Sequence, residues 1–340
     1  MSDGNDRPIA EPMRLDFESD GVRCASTLYR PAAVTRPTPC LVMAHGFTGT
    51  RDQLARYAEI FAAAGLLVLT FDYRHFGDSD GAPRQIVDVT KQLDDWRAAL
   101  RFVRTLDSVD THRVALWGSS LSGGYVVALA AEDSTIAAVV AQVPAFDESI
   151  RSMLREARYK MASEGISMWA LVSVAFRAIV AGTYDAVRGF VHLRPYYMRV
   201  FGPPGSVAVF TDPDSDKALR FAASEGPTWR NEFAPRFLFG TPKYVPGTAE
   251  RVQAPLLVCV AEQDTEADPE LAKEIAAKAP RGRLVTYPVR HFEAYTGSVF
   301  DRMTTDQTEF LCLALDASPA PMKATPTHGV RSGRFPKSRK

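Results

Sequence analysis

Three side chains in this sequence have the types and the chain order of a nucleophile, an acid and a base. Ser120 lies in the stretch Val114-Ala115-Leu116-Trp117-Gly118-Ser119-Ser120-Leu121-Ser122-Gly123-Gly124. An apolar run enters small residues and then a second small, apolar stretch. That is the form of a strand, a sharp turn and a helix, with a serine exposed at the turn. A serine hydroxyl is a weak nucleophile until a base accepts its proton. The base works best when a buried carboxylate fixes its tautomer and stabilises the imidazolium. Asp264 follows the apolar run Leu256–Val260, and His291 follows Arg283–Val289. The order serine, acid, histidine is the one that this kind of elbow uses.

Neighbouring residues leave alternatives. The motif departs from G-x-S-x-G at Ser122, and Ser120-Leu121-Ser122-Gly123-Gly124 offers Ser122 as a second candidate nucleophile. Distance from the strand end favours Ser120. Four acids crowd the turn after Val260: Glu262, Asp264, Glu266 and Asp268. Asp268 precedes Pro269 and so suits a helix N-cap. Glu266 suits a solvated loop, and Glu262 competes with Asp264. Directly after Cys40–Ala44 comes His45-Gly46-Phe47-Thr48-Gly49. A loop in that place donates one backbone N–H to an oxyanion, and the residue after the nucleophile donates another. The donors expected are therefore Phe47 and Leu121. His45 precedes the nucleophile and is taken to hold its own loop in shape.

These residues need a rigid frame. Met13–Ser19 and Val22–Arg30 have strand character and meet at Asp20-Gly21, a hairpin signal. Cys40–Ala44, Leu66–Phe71, Arg113–Trp117 and Ile136–Val143 are apolar runs of the length of buried strands. Between them Arg51–Ala64, Val89–Arg104 and Leu121–Ala131 have helical spacing. The alternation stops at Pro144 and returns at Pro255 with strand Leu256–Val260, helix Glu270–Lys278, strand Arg283–Val289 and helix Val299–Leu315. Strands alternating with helices imply a mostly parallel sheet with helices on both faces. The hundred-odd residues between the halves are too many for a structureless loop. They begin with a helical stretch, Ser149–Val180, and continue Pro-, Gly- and aromatic-rich. The organisation expected is a core in two parts, 1–146 and 250–316, an inserted and largely helical cap, 147–249, and a disordered tail, 317–340. Tyr196, Tyr197, Phe201, Trp229, Phe233, Phe237 and Phe239 either line a pocket under the cap or form the cap's own core.

Composition narrows the function classes. Among 340 residues, 40 are Lys or Arg and 40 are Asp or Glu, so the formal net charge is zero. A nucleic-acid partner is not expected. No apolar run is long enough to span a bilayer, and the start has no signal-peptide character, so no membrane insertion is expected. Cys24, Cys40, Cys259 and Cys312 are far apart and in apolar contexts. That suits buried free thiols in a reducing, cytoplasmic setting. No metal-ligand or nucleotide-binding motif is present, so neither a metal nor another cofactor is expected.

Taken together, His45-Gly46-Phe47, Asp72-Tyr73-Arg74-His75-Phe76-Gly77-Asp78-Ser79-Asp80-Gly81, Trp117 to Gly124 and His291-Phe292 resemble the α/β-hydrolase superfamily. The likeness is greatest to the acetyl-xylan-esterase/dienelactone-hydrolase-like group, with the thiohydrolases and acyl transferases that tailor polyketides. It spans about 13–146 and 250–315 and leaves the cap uncovered. The resemblance implies an α/β-hydrolase fold, a Ser120–His291–Asp264 triad and a structural role for Asp72–Gly81. Asp264 lies a full turn past its strand, where the acid usually stands in that family. Ser122 and Ala261 depart from the family pattern, where glycine is usual. The expected activity is hydrolysis of a small-molecule carboxylic ester or thioester through an acyl-enzyme. Acyl transfer by the same triad is the near alternative, and a non-catalytic binding protein on this scaffold is the distant one. The oligomeric state and the physiological substrate stay open.

Overall fold

The computed structural model describes residues 8–34, 37–146, 158, 161, 167–203, 206–211 and 215–317. Four short strands open the chain: β1 (Met13–Arg14), β2 (Phe17–Ser19), β3 (Val22–Cys24) and β4 (Ser26–Tyr29). Asp20 and Gly21, at φ 47° and 75°, turn β2 antiparallel onto β3. A two-residue turn of that type needs positive φ at both positions. The two long strands expected here are each broken in two. Asp16 accepts from the Ser26 N–H at 3.3 Å and from Arg23 at 2.6 Å, and β1 and β4 leave the hairpin to pair in the main sheet.

The remaining strands are β5 (Thr38–Ala44), β6 (Leu67–Phe71), β7 (Val109–Ser119), β8 (Ala138–Gln142), β9 (Arg199–Phe201), β10 (Ala208–Phe210), β11 (Leu256–Ala261) and β12 (Gly282–Tyr287). An eight-stranded sheet runs β1-β4-β6-β5-β7-β8-β11-β12, and the six strands from β6 to β12 are parallel. All residues of β6, β8 and β11 are buried, as strands covered on both faces require. The helices are α1 (Ala55–Ala63), α2 (Val89–Val103), α3 (Leu121–Glu132), α4 (Met168–Phe190), α5 (Ser215–Glu225), α6 (Thr248–Arg251), α7 (Pro269–Lys278) and α8 (Gly297–Ala314).

Alternate side chains of each strand serve opposite faces. Val42 and Leu116 join Trp96, Val126 and Ile275 under α2, α3 and α7. Leu41, Met43 and Trp117 join Tyr57, Phe61, Phe300 and Leu311 under α1 and α8. Each such side chain contributes about 2 kcal/mol when fully buried, so a one-residue slip of any central strand would expose several of them. Register, and with it the height of each strand end, is therefore tightly held.

Two expectations need correction. The helix expected over Arg51–Ala64 is a 3-10 turn, Arg51–Leu54, followed by α1. Arg51 is drawn aside: its backbone N–H and its guanidinium both bind the buried Asp72 carboxylate, and the guanidinium also reaches Asp78. This network accounts for the Asp72–Gly81 segment structurally. The second correction concerns the apolar runs. By length and composition α4, 23 residues long, qualifies to cross a membrane, with Arg177 interrupting its apolar residues. Its final turns pack on the 3-10 turn Pro235–Phe239, and Asp185 pairs with Arg236 at 2.7 Å. Its first turns leave Trp169 (83% exposed) and Phe176 (66%) facing outward.

Between β8 and β11 the chain leaves the sheet. The described part of this insertion holds α4, the parallel pair β9–β10, α5, the turn Pro235–Phe239 and α6. The expected helical start, from Ser149, and the expected disordered tail beyond residue 317 lie outside the described residues.

Candidate active site

Strand β7 ends at Ser119 and α3 begins at Leu121, leaving one residue for the change of direction. Ser120 makes it with φ 54° and ψ −120°. A side-chain-bearing residue in that region costs about 1–3 kcal/mol, a strain that clusters at functional sites. Two glycines permit the turn. A Cβ on Gly118 would drive into the Ser122 carbonyl. One on Gly46 would come within 2.9 Å of the Ser120 Cβ, so the loop after β5 can lie against the turn only with glycine there.

Ser122, the other candidate nucleophile, is buried and engaged. A directed relay runs from the Trp96 Nε1–H to the Tyr73 Oη at 2.6 Å, from the Tyr73 O–H to the Ser122 Oγ at 2.5 Å, and from the Ser122 O–H to the His45 carbonyl. The hydroxyl in the usual glycine position thus ties α3 to the loop that carries Phe47. The sequence marked Ser122 as a rival nucleophile and a departure from glycine, and gave it no structural role. The signal available was a serine next to a helix start, with a hydroxyl needing a partner.

His291 follows β12 and Asp264 follows β11, at the same end of the sheet as Ser120. The His291 Nδ1–H donates to Asp264 Oδ2 at 2.7 Å, with both side chains 3% exposed. The other Asp264 oxygen accepts the N–H groups of Glu266 and Ala267 at 2.8 and 2.9 Å. The carboxylate is therefore fixed on both oxygens, and through Nδ1 it sets the orientation of the imidazole. Among the competing acids, Asp268 caps α7 through the Glu270 and Leu271 amides. Glu262 is exposed. Glu266 lines a cavity beside Ser120.

Phe47 and Leu121, the expected oxyanion donors, line one cavity together with Ser120. His45 is buried, and its Nδ1 lies 2.9 Å from the Gly46 carbonyl. Burial, followed by the nearby Arg51 charge, pushes its pKa down to about 4, so its imidazole is neutral at neutral pH. It stands edge-on to Tyr73 at 4.8 Å, a packing position inside its own loop.

Behind the turn runs a polar network that sequence reasoning did not foresee. Ser119 Oγ meets Tyr295 Oη at 2.7 Å. Gln142 donates to Tyr57 at 2.9 Å and accepts from Gln307 at 2.8 Å, and Gln307 accepts from Trp117 at 3.0 Å. The expected pocket residues divide. Phe201, Trp229, Phe233 and Phe237 line two cavities at Ser120, whereas Tyr196 and Phe239 are exposed and Tyr197 binds the Arg84 carbonyl. Phe47 touches Phe210, Phe233 and Phe237, and Phe292 touches Phe201 and Phe210, with ring centroids 5.1–6.2 Å apart. The insertion therefore rests on Phe47, in the loop after β5, and on Phe292, next to His291.

The parallel sheet, the strand–turn–helix at Ser120 and the chain order of the site define a class: an α/β hydrolase of the serine-hydrolase type. The chain belongs to the X-Pro dipeptidyl-peptidase (S15) family, whose model matches residues 20–292. It is 37% identical over 302 residues to the quorum-quenching protein AidA of Acinetobacter baumannii, covering 88% of this chain and 94% of that protein. It is 35% identical over 133 residues to thiohydrolase aneE of Aspergillus aculeatus, covering 39% of this chain and 41% of that one. Among solved structures, the α/β hydrolase GrgF from Penicillium sp. sh18 superposes with a TM-score of 0.71 at 19% identity, covering 90% of this chain and 100% of that chain. The complex of DcsB with its substrate analogue gives 0.72 at 21% identity and the same coverage. At these identities the two structures speak for the fold alone.

Proposed function

We propose that this hydrolase cleaves a carboxylic ester or thioester of a small molecule, with Ser120 as nucleophile, His291 as base and Asp264 as the acid that orients it. One observation carries the reading: His291, paired with the buried Asp264 at 2.7 Å, lines a cavity together with a serine held at φ 54°. His291 takes the Ser120 proton as Oγ bonds to the acyl carbon. The Phe47 and Leu121 amides receive the negative charge on the carbonyl oxygen. The C–O or C–S bond breaks, and the proton passes from His291 to the departing alkoxide or thiolate. Water then repeats the sequence and releases the acid. No step calls on a metal or cofactor. Acyl transfer differs only in the final acceptor, and analysis of products in the presence of alcohols or amines separates the two.

The name of one relative, a thiohydrolase, agrees with thioester cleavage, and that of another, a quorum-quenching protein, agrees with a small diffusible substrate. The test is a panel of aryl esters, acyl thioesters and an X-Pro anilide, with a serine-directed phosphonate. Ester or thioester turnover is expected, abolished in Ser120→Ala by about a million-fold, with the phosphonate on Ser120. Preference for the X-Pro anilide, or labelling elsewhere, would overturn the proposal.

A further inference from the structure

Two cavities meet at Ser120, and they differ in size and in which groups they share with it. The smaller, about 90 Å³, is walled by His291, Phe292, Tyr295, Phe221, Trp229 and Ala218. The larger, about 200 Å³, is walled by Leu121, Met198, Val209, Phe233, Phe237 and Leu238. Phe47, Ser120 and Phe210 belong to both. His291 lines only the first and Leu121 only the second. We infer that the two cavities divide the substrate, with an apolar acyl chain in the larger and a compact, flat leaving group in the smaller. This rests on the catalytic reading of Ser120, His291 and Asp264.

The argument is directional. At the tetrahedral carbon, one bond goes to Ser120 Oγ and the oxyanion faces the Phe47 and Leu121 amides. Two directions remain. The leaving oxygen or sulfur must accept a proton from His291, so it lies within hydrogen-bond reach of the imidazole. The cavity that contains His291 is therefore the leaving group's. The acyl substituent takes the opposite direction, past Leu121, into the larger space. That space has a mostly aliphatic and aromatic wall, with Thr241 and Glu266 as its polar members. The smaller one is walled mainly by ring faces and edges, which suits an aryl or short alkyl group. Phe210, from β10, lines both.

The test uses the intact protein and two ester series: one alcohol with straight acyl chains of increasing length, and one acyl group with alcohols of increasing bulk. Val209→Phe narrows the larger cavity and Phe237→Ala widens it. The first is expected to move the preferred acyl chain shorter and the second to move it longer. Each should change kcat/KM at the old optimum about tenfold or more, the scale set by one misplaced methylene. General loss of folding cannot produce shifts in opposite directions. Ala218→Leu narrows the smaller cavity and should alter the ranking of alcohols while keeping the wild-type ranking of acyl chains. Phosphonate labelling of Ser120 is measured in each variant. If the wild-type protein is not labelled there, the catalytic reading falls. If it is labelled but acyl ranking follows Ala218→Leu and ignores the Val209 and Phe237 variants, the assignment of the cavities is overturned.

Discussion

Ser122→Ala separates the two ways of reading the elbow. In the structure the Ser122 hydroxyl donates to the His45 carbonyl and accepts from Tyr73, deep in the protein. Alanine leaves that carbonyl and the Tyr73 O–H without partners, while the Trp96 bond to Tyr73 survives. Two buried groups stranded in this way cost about 1–2 kcal/mol each. A total near 3 kcal/mol should lower the melting temperature by about 4 °C in a protein of this size. The chemistry should suffer as well, because the His45 carbonyl anchors the loop that carries the Phe47 amide. Losing an oxyanion donor outright costs about 100–1,000-fold in kcat. A loosened donor should cost less, roughly 10- to 100-fold, with KM little changed. Thermal denaturation, ester kinetics and phosphonate labelling of one protein sample suffice. The expected result is a less stable, slower enzyme that is still labelled on Ser120. An inactive, unlabelled protein with wild-type stability would show that Ser122 is the nucleophile. Unchanged stability and rate would show that the relay positions nothing.

Two other outcomes follow from the same geometry. Asp264→Asn should fold and lose about four orders of magnitude in kcat through the wrong histidine tautomer, whereas Glu262→Gln should stay close to wild type; the reverse pattern in ester assays would make Glu262 the acid. For His45, the native pKa of about 4 lies below the ordinary value of 6.5. As pH falls, the unfolded chain takes up the proton first, so this contribution to stability is complete above pH 6.5 and is lost on descending to about 4. The difference amounts to about 3 kcal/mol, and urea midpoints between pH 7 and 4 should fall less steeply in His45→Gln than in the wild type. Parallel curves would refute it.

The sheet was legible because buried parallel strands are short apolar runs, and helices between them carry a 3.6-residue stripe. Asp20-Gly21 and Asp268-Pro269 marked their turn and their helix start through backbone chemistry that needs no tertiary context. The places that resisted are those where a side chain reached across the fold. Arg51 left its helix for Asp72, and Asp16 broke a strand by capturing Ser26 and Arg23. Gln142 is a polar residue in an apolar run and Gln307 is one of several polar residues along its helix, and nothing local announces that they find each other through the core. The site residues carried local signals: small residues flanking Ser120, and positions just past strand ends for Asp264 and His291. The relay through Ser122 carried little more than a serine beside a helix start, since its partners Trp96, Tyr73 and His45 come from three separate elements. In the cap, aromatic content alone did not distinguish Phe233 and Phe237, which face Ser120, from the exposed Tyr196 and Phe239.

The register of β8 against β11 has a consequence for how such a protein can change. Leu256, Leu257 and Val258 pair directly with Val139, Val140 and Ala141, so the two mouths of the insertion are stitched together by the sheet. Thermodynamically the insertion is a closed loop of roughly 110 residues, and doubling such a loop adds only about 0.6 kcal/mol of closure entropy. Ser120 lies before the loop, and Asp264 and His291 lie after it. Residues can therefore be added to or removed from the cap without moving the strand ends that hold the three groups. Lineages that share the elbow and the acid–histidine pair are free to exchange the walls of both cavities, and to take up new substrates, at little cost to the stability of the chemistry beneath.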